Sequence, residues 1–265
     1  MKYKFGFIGC GNMGGALVRA ISKSIDSKKI AVCDKDENKA KAFANELGVN
    51  VTDAISIAKD SEFIVLGVKP QVVENAVSEI QPALQQNPNA TIISMCAGVT
   101  SELIKTLCKT EIGCIRIMPN TPASVGEGII LYAPNGVNEE SEKEFRQHFS
   151  FAGMVVKIDE EKMDKHTAIT GCGPAFVYMF IDAMKKSAVS IGVDEKDAEK
   201  FCAQTVLGSA KMVLTYGDAD TLKVNVCSPG GSTIEGVKSL EKDDLYSVVD
   251  RAVQASKKRT EEMKK

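Results

Sequence analysis

The apolar run Phe5-Gly6-Phe7-Ile8 leads directly into Gly9-Cys10-Gly11-Asn12-Met13-Gly14, and an amphipathic stretch, Ala16–Ser24, follows. No other feature constrains the fold as much. Gly9 permits a tight turn, Gly11 lets a ligand approach the backbone, and Gly14 lets helix and strand pack closely. Amides exposed at the start of the helix then hold phosphate oxygens. The spacing predicts a dinucleotide site built on Gly9, Gly11, Asn12, Met13 and Gly14.

The chain after this turn repeats the same alternation. Short apolar runs occur at Ile30–Cys33, Phe63–Val68, Thr91–Met95, Gly113–Met118 and Gly128–Tyr132, with one more at Gly153–Ile158. Helix-like stretches lie between them at Glu37–Leu47, Val72–Leu84, Ser101–Leu107 and 138–149. Near-continuous apolar strands alternating with helices read as an α/β fold, a parallel sheet covered on both faces. Beyond Asp159 the strand-like runs stop, and apolar residues recur at helical spacing in Ala175–Ile191, Asp197–Thr215 and Leu245–Met263. The expected organisation is therefore an α/β domain over 1–159 and an all-α domain over 160–265. The tail 256–265, with five basic and two acidic residues, reads as a solvated helix end.

Composition narrows the function classes. The chain of 265 residues carries 33 Lys+Arg against 35 Asp+Glu, which lacks the basic excess of a nucleic-acid binder. No apolar run approaches the roughly 20 residues of a membrane span, and the Met1-Lys2-Tyr3-Lys4 start has no signal-peptide pattern. The eight cysteines include no Cys-x-x-Cys pair and no Cys/His cluster. They read as reduced, mostly buried thiols rather than metal ligands or disulfides. A cytoplasmic protein without a metal is expected.

Asp34 closes the second strand, twenty residues after Gly14. An acid at this place accepts from the ribose 2′-hydroxyl of NAD and repels the 2′-phosphate of NADP. It equally suits the cap of the following helix, and Lys35 and Lys39 stand close enough in sequence to meet a phosphate. NADP and NAD both remain open. Near the other end, Ser228-Pro229-Gly230-Gly231-Ser232-Thr233 precedes a helical pattern at Ile234, Val237 and Leu240. Ser232 or Thr233 is a natural N-cap, and amides at such a helix start can nest a carboxylate.

Six blocks occur in order: Gly9–Gly14, Val68-Lys69-Pro70-Gln71, Ala97-Gly98-Val99, Arg116-Ile117-Met118-Pro119-Asn120-Thr121-Pro122, Gly171-Cys172-Gly173-Pro174-Ala175, and Ser228–Thr233. Together they resemble the pyrroline-5-carboxylate reductase family from Phe5 to about Glu241. The resemblance implies an N-terminal Rossmann-type doubly wound sheet followed by an all-α C-terminal dimerisation domain, a homodimer, and often a ring of dimers. It implies reduction of the cyclic imine 1-pyrroline-5-carboxylate to L-proline by NADPH or NADH. It also implies that Val68, Lys69, Pro70, Ala97, Gly98 and Asn120 join the glycine turn and Asp34 at the cofactor. Ser228, Gly230, Gly231, Ser232 and Thr233 would hold the substrate carboxylate, with the Thr233 hydroxyl facing the imine nitrogen as the catalytic group. Thr170, Cys172 and Phe176 stand where the family usually has Ser, Ser and Tyr, which are small or isosteric changes. Cys172 reads as a buried thiol, and Lys69 as either a cofactor contact or a solvated charge.

The rival classes lack their chemistry here. A β-hydroxyacid dehydrogenase needs a base such as a Lys soon after Gly173, yet none appears before Lys185. A prephenate-type enzyme would need an active-site His, and neither His148 nor His166 is well placed. A dinucleotide sensor without turnover would have no use for the Ser228–Thr233 block.

Overall fold

The structure is a computed structural model and describes residues 1–262. Its strands are β1 (Tyr3–Ile8), β2 (Ile30–Cys33), β3 (Asn50–Val51), β4 (Ser61–Leu66), β5 (Thr91–Ser94), β6 (Gly113–Met118), β7 (Gly128–Asn135) and β8 (Gly153–Lys157). The helices among them are α1 (Asn12–Ile21), α2 (Glu37–Leu47), α3 (Ala54–Asp60), α4 (Val73–Leu84), α5 (Ser101–Cys108) and α6 (Glu139–Phe149). There follow α7 (Met163–Thr170), α8 (Gly173–Ser190), α9 (Glu195–Tyr216), α10 (Ala219–Asn225), α11 (Ser232–Lys242) and α12 (Leu245–Glu262).

One sheet runs β3-β2-β1-β4-β5-β6-β7-β8. Pairing is parallel throughout except for β6 against β7, where Met118 faces Leu131 in antiparallel register. The order reverses between β1 and β4, so the fold is doubly wound with its switch point beside Ile8 and Leu66. Side chains alternate between the two faces, as a sheet covered on both sides requires. Phe5, Phe7 and Val65 pack with Leu17, Ile21, Phe43 and Phe149 from α1, α2 and α6. Ile8, Ile64 and Leu66 pack with Ile57, Val77 and Ile104 from α3, α4 and α5.

The apolar runs at Ile30–Cys33 and Gly113–Met118, and the stretch Glu37–Leu47, form elements with the expected ends. The differences have local causes. α1 begins at Asn12, earlier than the periodic stretch at Ala16, because glycines give no apolar signal. β3 and α3 fell outside the reading, since two strand residues and a seven-residue helix are too short to show a period. The β6–β7 pair departs from the expected all-parallel sheet because the connection is a short turn through Thr121–Val125, too short for a crossover helix.

The chain divides into two compact units, Met1–Gly171 together with the tail from Lys257, and Cys172–Ser256. α7 therefore packs with the sheet: Met163 and Ala168 are buried, and Met163 clusters with Met118, Leu131 and Ala133. The second unit is helical, and it contains the short α10 between α9 and α11. No residue of α8, α10 or α11 is buried. The stretch Glu160–Ser190, though it holds no continuous apolar run, is long and apolar enough by length and composition alone to cross a membrane, and little of its most apolar window is buried. Of the basic tail, residues 263–265 lie outside the described residues; through Glu262 it continues α12.

His148 is a structural histidine, as its place on a polar helix suggests. Its ring meets Phe5 edge-on at 5.2 Å, and Nδ1 lies 2.8 Å from the Ser24 hydroxyl. Burial, helped by the Lys4 ammonium and opposed by Glu144, holds its pKa below the ordinary histidine value. The unfolded chain therefore binds the extra proton first as pH falls through about 6.5. The stability contributed by neutral His148 is intact above that pH and lost as pH falls toward the lower folded value. Urea midpoints measured at pH 7.5 and 5.5 should drop less between the two in His148→Gln than in the wild type; equal drops would show that His148 is not the responsible group.

Candidate active site

The glycine turn sits at the switch point. Gly9 takes φ 101°, a conformation that L side chains rarely adopt, and a Cβ there would lie 2.6 Å from the Gly67 carbonyl oxygen. Gly9 N donates to Cys33 O at 2.9 Å, and Gly67 N donates to Ile8 O at 2.8 Å. Gly67 belongs to the site although the motif reading passed over it. Its sequence signal was a glycine directly after the β4 run and before Val68-Lys69-Pro70. Gly14 lies inside α1, and a Cβ there would collide with the Gly9 carbonyl oxygen. Gly11 differs: it is the N-cap of α1, and a Cβ there would meet nothing within 4 Å. The chain's own packing does not require that glycine. No side chain caps α1, so its first amides face outward beside Gly11, a cradle suited to a pyrophosphate.

Asp34 is not the cap of α2. Asp36 is, through a 3.1 Å bond from Asn38 N to its Oδ1. The Asp34 carboxylate instead accepts from Cys10 N at 2.6 Å and from Asp36 N at 3.0 Å, so it ties the end of β2 to the glycine turn. Cys10 and Cys33 on either side are pushed up to about 12, chiefly by burial and then by the Asp34 charge. They remain neutral thiols.

The other expected cofactor residues divide between open and closed surroundings. Val68 and Pro70 are half-buried and Lys69 is exposed; its side chain has no ion pair among the described residues, and its backbone starts the short turn Pro70–Val72. Ala97 is exposed, and Gly98 is half-buried at φ 73°. All follow the carboxyl ends of β4 and β5, the edge where doubly wound sheets bind ligands. Asn120 is buried and already engaged: Nδ2 donates to Thr170 O at 2.9 Å, and Oδ1 accepts from Ile129 N at 2.9 Å. Its side chain fastens the end of α7 to β7.

Arg116, from the same sequence block, is 3% exposed and reaches Asp164 at 2.9 Å and Glu160 at 3.4 Å. Glu160 in turn accepts from Ser101 N at 2.8 Å. A cavity of about 770 Å³ opens beside this cluster, lined by Glu102, Asp159, Glu160, Glu161 and Asp164 against Arg116 and Lys162. Five carboxylates against two cations would repel phosphate, so this cavity is no pyrophosphate site. Among the described residues no group of His, Cys, Asp and Glu could hold a metal.

In the second unit, the Ser228–Thr233 loop is exposed, with Gly231 half-buried and Gly230 at φ 72°. The N-cap of α11 is Gly231, not Ser232 or Thr233, and no side chain caps the helix. A glycine in extended backbone takes the cap because Gly231 N is already turned back to Ser228 O at 3.0 Å. The first amides of α11 are thus left without a side-chain cap, and the Thr233 hydroxyl has no hydrogen-bond partner among the described residues. An uncapped helix start of this kind has the chemistry to nest an anion. Cys172 is half-buried rather than buried. His166 is exposed on α7.

A doubly wound sheet with two glycines meeting at its switch point and an uncapped helix start above them defines a Rossmann-type dinucleotide-dependent oxidoreductase. Residues 4–98 match a family model described as NADP oxidoreductase coenzyme F420-dependent, and residues 160–263 match one described as pyrroline-5-carboxylate reductase dimerisation. The pyrroline-5-carboxylate reductase of Escherichia coli K12 is 36% identical over 270 residues, covering 100% of both chains. Among solved structures, a pyrroline-5-carboxylate reductase from Coxiella burnetii superposes with TM-score 0.91 at 30% identity, covering 100% of both chains. The Plasmodium falciparum pyrroline carboxylate reductase with NADP bound gives 0.86 at 32%, again over 100% of both. The chain belongs to the pyrroline-5-carboxylate reductase family.

The two glycines of the turn should respond differently to one added methyl group. Gly14→Ala is expected to lower the melting temperature clearly, because backbone must move. Gly11→Ala should cost no more than about 1 kcal/mol, the usual preference of an N-cap for Gly over Ala. Thermal melts of the two variants check this, and equal losses would show that Gly11 too is packed.

Proposed function

We propose that this protein reduces the C=N bond of 1-pyrroline-5-carboxylate to give L-proline, the last step of proline synthesis, with NADPH or NADH as the donor. The observation that carries the reading is the uncapped start of α11, with the unengaged Thr233 hydroxyl at its edge. Family membership supports the same reaction, and the Plasmodium falciparum relative has NADP bound. The glycine turn fits a dinucleotide because Gly11, which internal packing leaves free, is where an outside group must approach the backbone.

The amides of Asn12 and Met13 and the Gly11 backbone hold the pyrophosphate, and Gly9 and Gly14 shape the turn that presents them. Val68, Lys69 and Pro70, with Ala97 and Gly98, line the edge along which the cofactor extends; Asn120 supports that edge by holding α7. When bound, a reduced nicotinamide supplies hydride to the C=N carbon. The amides of the loop Ser228, Gly230, Gly231, Ser232 and Thr233 hold the substrate carboxylate. The Thr233 hydroxyl would donate a hydrogen bond to the imine nitrogen; as the C=N electron pair moves onto that nitrogen it takes one proton from solvent water, relayed through the hydroxyl, which ends neutral. Orientation supplies most of the rate, and no histidine is required.

The second unit supports a homodimer. Met179, Leu214 and Tyr216 are more than two-thirds exposed on helices that bury almost nothing in one chain, as is Ile191 just past the end of α8. Apolar faces of this extent need covering, and a second copy meets that need, which also accounts for the membrane-like composition of Glu160–Ser190. A ring of such dimers in the cytoplasm is the larger assembly the resemblance implies, and light scattering on the purified protein measures it.

The purified protein should oxidise NADPH or NADH only when pyrroline-5-carboxylate is present, followed by loss of reduced-cofactor absorbance. No loss with either donor would overturn the reading. Thr233→Val should lower kcat at least about tenfold, within the range of a lost donor to a reacting atom, while dinucleotide titrations stay unchanged. Unaltered kcat would remove Thr233 from the chemistry.

A further inference from the structure

We propose that this chain selects NADH over NADPH and that Asp34 makes the selection. The inference rests on the reading of the Gly9–Gly14 turn as the dinucleotide site, and it departs from the NADP found on the Plasmodium falciparum relative.

Asp34 follows Cys33, the residue of β2 paired with Ile8 at the end of β1, so its carboxylate stands beside the glycine turn. Two backbone amides from different loops, Cys10 N and Asp36 N, hold one oxygen each. A carboxylate held in this way cannot swing out to make room for an anion. It is an acceptor only, and each oxygen keeps a further lone pair. It can therefore receive a ribose 2′-hydroxyl, which donates. A 2′-phosphate brings acceptor oxygens and a charge of about −1.5 to −2, and the carboxylate can satisfy neither.

The surroundings reinforce this choice. The start of α2, where an anion could otherwise sit on free amides, is occupied by the chain's own carboxylates. Asp36 caps it, and Glu37 occupies its first turn and pairs with Lys41 at 2.8 Å. Asp53, at the same end of the sheet, caps α3. Burial and then the charges of Asp34, Glu79 and Asp53 push the Cys33 thiol upward, against a lowering hydrogen bond from the Gly9 backbone. Lys35 and Lys39 are the cations that would favour a phosphate. Both are exposed, with no ion pair among the described residues, so any contact they offered would be a solvent-screened one, typically about 0–1 kcal/mol. The fixed carboxylate outweighs them.

Calorimetric titration of the wild type with NADH and NADPH should give at least about tenfold tighter binding of NADH, the scale of one charge-assisted hydrogen bond gained or lost. In Asp34→Ser and Asp34→Asn that ratio should fall by about tenfold or invert, and the kcat/KM ratio for the two donors should follow it. NADPH binding as tightly as NADH in the wild type overturns the proposal, as does an unchanged ratio in a variant that melts like the wild type. If both variants fail to fold, the wild type alone decides, by titration with adenosine 5′-monophosphate and adenosine 2′,5′-bisphosphate. Tighter binding of the monophosphate is expected, and equal binding overturns the proposal. Absence of binding by either dinucleotide is a different result, because it overturns the dinucleotide site itself. Imine reduction with a preference for NADPH would leave the reductase standing and remove only the role of Asp34.

Discussion

The contact between the backbones of Gly9 and Gly67 is the constraint from which the rest of the first unit follows. β1 and β4 are neighbours at the point where the sheet reverses direction, and the chain leaves both strands at the same place. Only two residues without side chains allow the departing segments to come this close. The approach turns β1 sharply into α1, so that the uncapped start of α1 lies over the strand ends. It also sets Val68–Pro70 beside that start. Without it the helix amides would point elsewhere, and the open space at Gly11 would have no use.

A second set of contacts decides where the first unit ends. Arg116 is buried with Glu160 and Asp164, and Asn120 bonds to the last residue of α7. A buried ion pair is costly to desolvate and gives little net stability, while Arg116 Nε has no hydrogen-bond partner among the described residues. The arrangement is better understood as specifying position: it fastens α7 to β6 and β7, so the compact unit continues to Gly171. Composition changes near 159, where strands give way to helices. Those are two different kinds of boundary, one of local pattern and one of packing.

The second unit shows the opposite condition. Its helices are well formed, with Asp194 and Asp218 capping α9 and α10, yet only Ala198 and Cys202 are buried among the residues of α9. Local propensity made these helices; burial within one chain did not. Their apolar residues are arranged for a surface that a single copy does not supply, which is what a dimerisation domain provides. The same composition in Glu160–Ser190 would pass as a membrane span by length alone.

Much of this was legible in the sequence, because it is encoded in neighbours. The glycine spacing, the apolar runs of β2 and β6, the periodicity of α2 and the order of family blocks all depend on residues a few positions apart. Short elements such as β3 and α3 lacked enough residues to show a period. Tertiary structure alone decided what distant residues do to one another. Asp34 reads equally as a ribose acceptor or a helix cap in sequence; in the fold Asp36 caps α2, and Asp34 is held by Cys10 N, 24 residues away. Asn120 reads as a cofactor residue in sequence, and only the fold shows that its amide also joins Thr170 O to Ile129 N. Gly231 takes the cap of α11 from Ser232 and Thr233 because the loop folds back on Ser228. Sequence patterns record which conformations each segment favours; which polar groups remain free for a ligand depends on partners that only the folded chain brings together.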